Sequence, residues 1–421
     1  MFKKTKLANG LRIITAPVRG TKAVTVLVLV ATGSKHEKRE ENGISHFLEH
    51  MFFQGTRKRP NQLKIAETLD RVGGAYNAFT GKEYTGYWAK VSSSYLDLAL
   101  DWVADIFLNS KIEERKIQKE RKVIIEEINM YLDTPTNYIW TLWEELLYGD
   151  QPAGWPILGK KENIIKLKRR NLLDYLKKHY CPQNTIVCVT GDIDSALAER
   201  KTKEYFGKMR KTKPVPKIEV VEKQTKPQVL LYSKKTDQTH LCLGLRGYGL
   251  KDSRKYSQLI LAVLLGGMMS SRLFNSVRVK AGLAYYINTT AQSYTDTGYL
   301  VTSAGVANQK LEKAINLILK EYRALKEKKI KNSELQKAKD YLKGSLTLKL
   351  EGSEDQALFY GTQELLENKI LTPEQILKKI DRVTSKDIRE ISQEIFAPEN
   401  LNLALIGPSK DKKKLMNLLK I

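Results

Sequence analysis

Along this chain, segments whose hydrophobic and polar residues follow a strand pattern alternate with segments that follow a helix pattern. Residues 11–16 and 23–31 are short, rich in β-branched residues and bounded by turn residues, which is typical of strands. The run NGISHFLEHMFFQG, residues 42–55, carries apolar side chains three and four positions apart, as one face of a helix does. The pattern predicts two strands that lead into an amphipathic helix.

The rest of the first half mixes helices with a hairpin. Asn61 is a candidate N-cap for a helix that ends at Gly73-Gly74. Residues 75–91 are rich in Tyr, Thr and Trp around a Gly-Lys turn, which predicts a hairpin. Later elements are predicted as helices at 94–109 and 113–132, a mostly helical segment to residue 180, a strand at 185–191 and a helix at 195–206.

Between residues 207 and 227 this pattern stops. The segment holds three prolines and a dense mix of charges, which is typical of a linker. The order of elements then begins again, with strands at 228–233 and 239–245, helices at 254–266 and 270–280, strands within 283–305, and helices at 308–327 and 332–350.

The two halves can be aligned at an offset of 216 residues. The strand that starts at Ala23 then lies on the segment that starts at Thr239, and HFLEH falls on AVLLG at 262–266. Further on, Thr85-Gly86-Tyr87 has a counterpart in Thr297-Gly298-Tyr299. We therefore predict an α+β fold made of two homologous α/β domains, each an antiparallel-rich sheet packed with helices. The predicted bounds are 1–210, a linker at 211–227, and 228–421.

Size and composition are ordinary for a globular protein of two or more domains. The best apolar run, from Leu259 to Leu265, is far shorter than the roughly 18 residues of a spanning helix. The N-terminus begins with basic residues, but the apolar stretch that should follow in a signal peptide is interrupted by Asn9, Gly10 and Arg12. No signal peptide is therefore predicted. We expect a cytoplasmic protein without a membrane partner.

Three cysteines, at positions 181, 188 and 242, are an odd number without C-x-x-C spacing. This excludes a disulfide framework and a Cys-ligated zinc site. The net charge of +25 is unusual, but the Lys and Arg residues are spread along the chain and interleaved with Glu. No basic-aromatic module is present, so no nucleic-acid partner is expected. Whether the charge selects acidic peptides is left open by the sequence.

The candidate chemistry lies in His46-Phe47-Leu48-Glu49-His50. In a helix, His46 and His50 stand on one face, with Glu49 angled toward the same side. Two imidazoles can bind one Zn²⁺, and a carboxylate that is not a ligand can take a proton from zinc-activated water. The order H-x-x-E-H inverts the familiar H-E-x-x-H of zinc proteases. The alternative is a pair of surface histidines that lie close by chance.

A zinc site of this kind needs a third ligand. In the predicted helix 113–132, Glu120 and Glu127 are seven residues apart and share a face, with Val123 and Ile124 between them. Two carboxylates on an apolar stripe favour a bound cation. The alternative for Glu120 is an exposed edge beside neighbouring Lys and Arg residues.

These motifs together resemble the pitrilysin/insulinase family of zinc metallopeptidases, and among them the short members akin to the processing-peptidase β subunit. The resemblance covers essentially the whole chain. It implies that His46, His50 and Glu127 bind Zn²⁺ and that Glu49 is the general base. It further implies that Glu120 supports a ligand or the charge of the metal.

Two further segments fit this resemblance. GGAYNAFTGKEYTGYW is similar to the family's substrate strand, which implies that Asn77 and Ala78 bind an extended peptide at the sheet edge. Arg278 and Tyr285 keep the spacing of the family's Arg-Tyr pair, although Val279 and Ala281 stand where relatives often have Glu and a basic residue. The alternatives are that Tyr285 packs in a strand and Asn77 caps a turn.

The resemblance implies a zinc-dependent endopeptidase that hydrolyses unfolded or short peptides. Each chain would form half of a clamshell, and two chains would enclose the chamber. Because one sequence holds both the zinc motif and the Arg-Tyr pair, we expect a homodimer, with a heterodimer of related chains as the alternative. The alternative function is a noncatalytic structural subunit of the same family.

Overall fold

The computed structural model describes residues 2–421. Its first half contains six strands and eight helices. In chain order these are β1 Lys3–Lys6, β2 Arg12–Pro17, β3 Ala23–Val30, α1 Ile44–Phe52, α2 Gln62–Asp70, β4 Ala75–Thr80, β5 Thr85–Ser92, α3 Leu96–Asn109, α4 Glu114–Asp133, α5 Pro135–Tyr148, α6 Lys161–Lys166, α7 Arg169–His179, β6 Thr185–Gly191 and α8 Ser195–Phe206.

The second half repeats this alternation. Its elements are β7 Gln228–Ser233, β8 Gln238–Arg246, α9 Lys255–Ala262, β9 Ala284–Ser293, β10 Gly298–Ala307, α10 Leu311–Glu327, α11 Asn332–Lys349, α12 Ser353–Glu367, α13 Pro373–Arg382, α14 Ser385–Ile395, β11 Asn402–Gly407 and α15 Lys412–Leu418. Two π-helical segments, Val263–Gly267 and Phe274–Lys280, lie where the sequence predicts ordinary helix.

The two sheets share one topology. The first has the strand order β1-β2-β6-β3-β5-β4 and the second β7-β11-β8-β10-β9. In each, one parallel pair, β2 with β6 and β7 with β11, is followed by antiparallel neighbours. β7 starts 216 residues after β2, which is the offset found in the sequence. The predicted fold class, two homologous α/β domains with antiparallel-rich sheets, is confirmed.

The chain divides into two compact units that are not continuous in sequence. Unit 1 comprises 1–129, 155–218 and 348–370, and unit 2 comprises 130–154, 219–347 and 371–421. Helix α5 therefore belongs to unit 2, where it packs on β8 and β11, and α12 belongs to unit 1, where it packs on β3 and β6. Each half of the sequence thus gives one helix to the other unit. The predicted linear bounds remain a prediction.

Within unit 1, helices cover both faces of the sheet. α3 packs on β3 and β5, while α12 packs on the opposite face of β3 and β6. This explains why β6 is buried along its whole length and why β3 reads as a continuous hydrophobic run. The α12 side of this core consists of Ala357, Tyr360 and Leu365 against strand residues that include Leu27, Leu29 and Ile186.

Unit 2 has a core of the same kind, in which α9 and α10 pack on one face of the second sheet and α5 on the other, while α14 packs on α9 and α10. All three cysteines are buried and free. Among residues 2–421, no helix is long and apolar enough to cross a bilayer.

Candidate metal centre and active site

Helix α1 presents both histidines of the motif on one side and its apolar residues on the other. Phe47, Leu48 and Met51 are fully buried in the core. The His46 and His50 rings lie with their centroids 4.7 Å apart at an angle of 66°. The i, i+4 spacing in the sequence is therefore realised as a pair of adjacent imidazoles, as predicted.

Helix α4 brings Glu127 to these imidazoles. Its Oε2 atom lies 3.5 Å from Nε2 of His46 and 3.5 Å from Nε2 of His50. One possible ligand atom from each residue lies within 4.8 Å of the other two. Both distances to Glu127 exceed the usual length of an N–H···O bond.

This donor set fits a zinc ion. Tetrahedral zinc with bonds of about 2.1 Å separates its ligand atoms by about 3.4 Å, close to the separations of Glu127 Oε2 from both Nε2 atoms. Two imidazoles and one carboxylate are also the ligand types of catalytic zinc sites.

Glu120 lies behind His50 and faces away from the three candidate ligand atoms. Its Oε2 atom is 3.2 Å from Nδ1 of His50, and the residue is buried with Ile117, Ile124 and Ile128 on one face of α4. A carboxylate at Nδ1 favours the tautomer in which Nε2 carries the free lone pair. The prediction that Val123 shares this face is wrong, because Val123 is exposed: three residues after Glu120 it has rotated toward solvent.

Glu49 is mostly buried and accepts a hydrogen bond at Oε2 from Oγ1 of Thr80, the last residue of β4. Burial raises the pKa of the Glu49 carboxyl, and the Thr80 hydroxyl partly offsets this. A raised pKa suits a group that must both accept and return a proton near neutral pH. Sequence reasoning missed Thr80, because nothing local shows that the end of β4 meets α1.

The two histidines differ in their pKa. Burial lowers the pKa of His46 to about 4, with a further contribution from His50. Burial also acts to lower the pKa of His50, but the hydrogen bond to Glu120 and the nearby carboxylate of Glu127 outweigh it and raise this pKa to about 9. The adjacent His50 imidazole in turn holds the pKa of Glu127 below its ordinary value. Without a metal, His50 is therefore the protonated member of the pair.

A second buried carboxylate, Glu37, holds the start of α1. Its oxygens accept hydrogen bonds from the backbone N–H groups of Gly43 and Ser45, at 2.8 and 2.9 Å, and from Nδ2 of Asn42. These bonds satisfy N–H groups that a helix start leaves unpaired, and a negative charge there also suits the helix dipole. Sequence reasoning missed this residue as well, since its helix begins seven positions later.

The predicted substrate strand, β4, is an edge strand of the unit 1 sheet. Asn77 is exposed, and its Oδ1 atom accepts the Ala78 N–H at 2.8 Å. This N–H therefore points away from β5 and toward the open edge. The edge runs to Thr80 and hence to Glu49, so Asn77 and Ala78 lie on the strand that ends at the candidate site.

Arg278 and Tyr285 lie in unit 2. Tyr285 is 75% exposed at the start of β9, and the Arg278 guanidinium lies 5.9 Å from its ring centroid. The structure therefore brings these two residues together. The prediction that Tyr285 assists at the zinc site stays a prediction.

Comparison with known families identifies both halves. A sequence model described as insulinase (peptidase family M16) matches residues 12–161, and one described as the peptidase M16 inactive domain matches residues 166–342. The chain belongs to the insulinase, or M16, peptidase family. The resemblance seen in the sequence is thereby confirmed.

Known proteins match the M16 chain over nearly its whole length. The "uncharacterized zinc protease YmxG" of Bacillus subtilis is 37% identical over 97% of this chain and 99% of that protein. Among solved structures, a protease from Helicobacter pylori has a TM-score of 0.91 at 24% identity, covering 97% of this chain and 99% of that one. A chain of complex III from Candida albicans has a TM-score of 0.84 at 18% identity, with full coverage of both. The two structures show the shared fold.

Proposed function

We propose that this M16 chain is a zinc-dependent endopeptidase that cleaves unfolded or short peptides. The observation that carries the proposal is the convergence of His46, His50 and Glu127 on one point, beside the half-buried carboxylate of Glu49. When bound there, zinc supplies a Lewis acid and makes water a nucleophile near neutral pH. Relatives named zinc proteases support the same assignment.

The proposal gives Glu49 the proton transfers. Its carboxylate takes a proton from the attacking water and returns it to the departing amine nitrogen, while the Thr80 hydroxyl fixes its orientation. Glu120 accepts the Nδ1 proton of His50 and so aims the Nε2 lone pair of His50 at the site. Tyr285 is proposed to stabilise the negative charge that develops on the scissile carbonyl oxygen.

The substrate is proposed to add to β4 as a further strand. Open backbone groups on an edge strand bind the backbone of an extended peptide and so select for chains that are not folded. The side chain of Asn77, which now accepts the Ala78 N–H, would move aside to hydrogen-bond the incoming peptide.

Metal analysis and peptide cleavage test the enzyme assignment. We expect about one zinc per chain, cleavage of an unfolded fluorogenic peptide, loss of cleavage with a chelator and recovery on adding zinc. Glu49→Gln should keep zinc and lose turnover by about 10²- to 10⁴-fold, because it removes the proton acceptor. Glu40→Gln, an exposed carboxylate in the same unit, is the matched control. A Glu49→Gln variant with ordinary turnover would remove Glu49 from this role.

A substitution on α4 tests the ligand set separately. Glu127→Gln should weaken zinc binding strongly, whereas Glu126→Gln, next to it but exposed, should not. Zinc affinity from competition with a chromophoric chelator gives the comparison. Equal affinities of the two variants would exclude Glu127 as a ligand.

The second candidate is a noncatalytic subunit. It is favoured by the match of residues 166–342 to a domain described as inactive and by the likeness to a complex III chain. A preparation that stays inactive after zinc is restored would establish this candidate. Against it, all five residues of the proposed site, His46, Glu49, His50, Glu120 and Glu127, are present in unit 1.

A homodimer that encloses a chamber remains our proposal for the assembly, and light scattering on the purified chain would test it. A stable monomer that gains activity only with a related chain would favour a heterodimer. The cytoplasm is the proposed compartment, which cell fractionation would test.

A further inference from the structure

The metal ligands come from two helices, α1 and α4, that lie far apart in the sequence. One stretch of chain, residues 156–167, contacts Asn42 and Gly43 just before α1 and also contacts α4; we name it the bracing segment. It includes α6 and lies wholly within unit 1, as do α1 and nearly all of α4. Its contacts at each end fix different parts of the candidate site.

Just before α1, the backbone of the bracing segment lies against the backbone of Asn42 and Gly43. Nδ2 of Asn42 donates to the Pro156 carbonyl at 2.9 Å. Gly159 has a φ of +79°, and a Cβ atom on it would lie 2.4 Å from the Asn42 carbonyl oxygen. Gly43, just before α1, has a φ of +100°, and a Cβ atom there would lie 2.7 Å from the Leu158 carbonyl oxygen. Only glycine fits both positions without moving the backbone.

At the α4 end the contact is made chiefly by Arg121. Its Nε atom donates to the Ile164 carbonyl at 3.0 Å, and Nη2 donates to the Leu167 carbonyl at 2.6 Å. Nζ of Lys161 adds a hydrogen bond to Oδ1 of Asn129. Two donors of one rigid guanidinium on two carbonyls fix both the position and the rotation of the helix.

Arg121 is well placed to control the ligands on α4. It follows Glu120 directly and precedes Glu127 by six residues, or about 9 Å of helix. A small rotation of α4 about its axis would carry the Glu127 carboxylate away from the imidazoles, whereas the ligand distances of a zinc site lie within about 0.2 Å of their usual values. The sequence alone suggested no more than an exposed charge for Arg121.

We propose that Arg121 is a positioning residue of the metal site. Acting through the bracing segment, it sets the separation between the imidazoles of α1 and the carboxylates of α4, and so sets the affinity for zinc. The inference rests on the proposed function, since it concerns the same site.

The test compares three changes of one residue type on one helix. Arg121→Ala removes both hydrogen bonds, Arg121→Lys keeps the charge but can reach one carbonyl at a time, and Arg115→Ala removes an exposed arginine six positions earlier. Zinc dissociation constants come from competition with a chromophoric chelator, and ligand geometry from the visible absorption of the Co²⁺-substituted protein. Urea unfolding of each metal-free variant reports on the fold.

We expect Arg121→Ala to bind zinc about 10- to 100-fold more weakly, as is usual when an outer partner of a ligand is lost, with Arg121→Lys in between and Arg115→Ala unchanged. The Co²⁺ spectrum should change in the same order. Gly159→Ala, which disturbs the other end of the brace, should also weaken zinc binding, so the proposal stays testable if Arg121→Ala fails to fold.

If Arg121→Ala or Arg121→Lys binds zinc with wild-type affinity and shows the wild-type Co²⁺ spectrum, the proposed role of Arg121 is overturned. The proposed function would stand, provided that the wild-type chain binds zinc. Failure of the wild-type chain itself to bind zinc would overturn the proposed function, and the role of Arg121 with it. Equal losses in Arg121→Ala and Arg115→Ala would show a general charge effect and would also contradict the proposal.

Discussion

Two histidines four residues apart experience different surroundings. His46 is buried with its Nδ1 atom unpaired, whereas His50 has Glu120 at Nδ1 and Glu127 near Nε2. The first has a pKa of about 4 and the second of about 9. Zinc requires neutral imidazoles, so a metal ion must displace the proton that His50 holds in the metal-free state.

Proton release on zinc binding follows from this. At pH 7.5 we expect the metal-free protein to carry a proton on His50 and to release about one proton when zinc binds. Calorimetric titrations with zinc, in buffers of different ionisation enthalpy, measure the number of protons released. Glu120→Gln should reduce the release, because it removes the negative charge that stabilises the protonated imidazole of His50. A binding heat that does not vary with the buffer would contradict the raised pKa.

The stability of the metal-free protein should also depend on pH. The folded pKa of His50, about 9, lies above the unfolded value of about 6.5, so its contribution is complete below pH 6.5 and is lost as the pH rises through 9. His46 acts in the opposite direction: its folded pKa of about 4 makes stability fall as the pH drops below 6.5. Urea unfolding of metal-free protein at pH 6.5 and 9 checks the first effect. Glu120→Gln should flatten the dependence, and an unchanged slope in that variant would contradict the assignment.

At the scale of elements, edge strand β4 and helix α1 meet where Thr80 contacts Glu49. An edge strand is an aggregation hazard unless it is short or used for binding. β4 has six residues, and its exposed side leads into the candidate site. This supports the proposed binding of a peptide as an added strand.

A proline at position 78 tests the role of this edge. Ala78→Pro removes the N–H that faces away from β5, and we expect KM for an unfolded peptide to rise about three- to tenfold, the equivalent of about 1 kcal/mol. Zinc content should stay unchanged. The control is Ser233→Pro, at the end of β7 on the edge of the unit 2 sheet. The Lys234 N–H points inward and donates to the Gly407 carbonyl, so the N–H of the preceding residue, Ser233, points outward. Equal effects of the two changes would contradict a specific role for β4.

At the scale of the whole molecule, each half of the sequence completes the other unit. Helix α12 covers one face of the unit 1 sheet, and Gly361 lets it approach closely, since a Cβ there would lie 2.7 Å from Cδ1 of Leu29. Ser353 adds hydrogen bonds to Thr25 and Thr190. The first half of the sequence therefore lacks part of the core that it needs.

The fragment 1–210 should consequently fail to fold alone. Without α12, the strand residues under it, including Leu27, Leu29 and Ile186, would be exposed, and burial of each such side chain contributes about 1.5–3 kcal/mol. We expect the fragment to bind a hydrophobic dye and to lack a cooperative urea transition. Coexpression with 211–421 should restore both units, which controls for the cut itself. A fragment 1–210 that unfolds cooperatively would contradict the exchange of helices.

Local features of this protein follow from its amino-acid sequence. Helical spacing alone placed His46, His50 and Glu49 on one side of α1, and short-range patterns gave helix α8 and strand β7 their observed bounds. The offset of 216 residues predicted the repeated unit, because equivalent hydrophobic patterns in the two halves form equivalent strands. The choice of Glu127 over Glu120 as a ligand came from family resemblance, since both share one helix face.

Contacts between residues that are distant in the sequence became known from the folded chain. It placed Glu127 Oε2 near both imidazoles, Glu120 behind His50, Thr80 against Glu49 and Arg121 on the bracing segment. It also gave α5 and α12 to opposite units. These contacts join residues tens to hundreds of positions apart, and they depend on how whole elements pack around a shared core, which no local periodicity encodes.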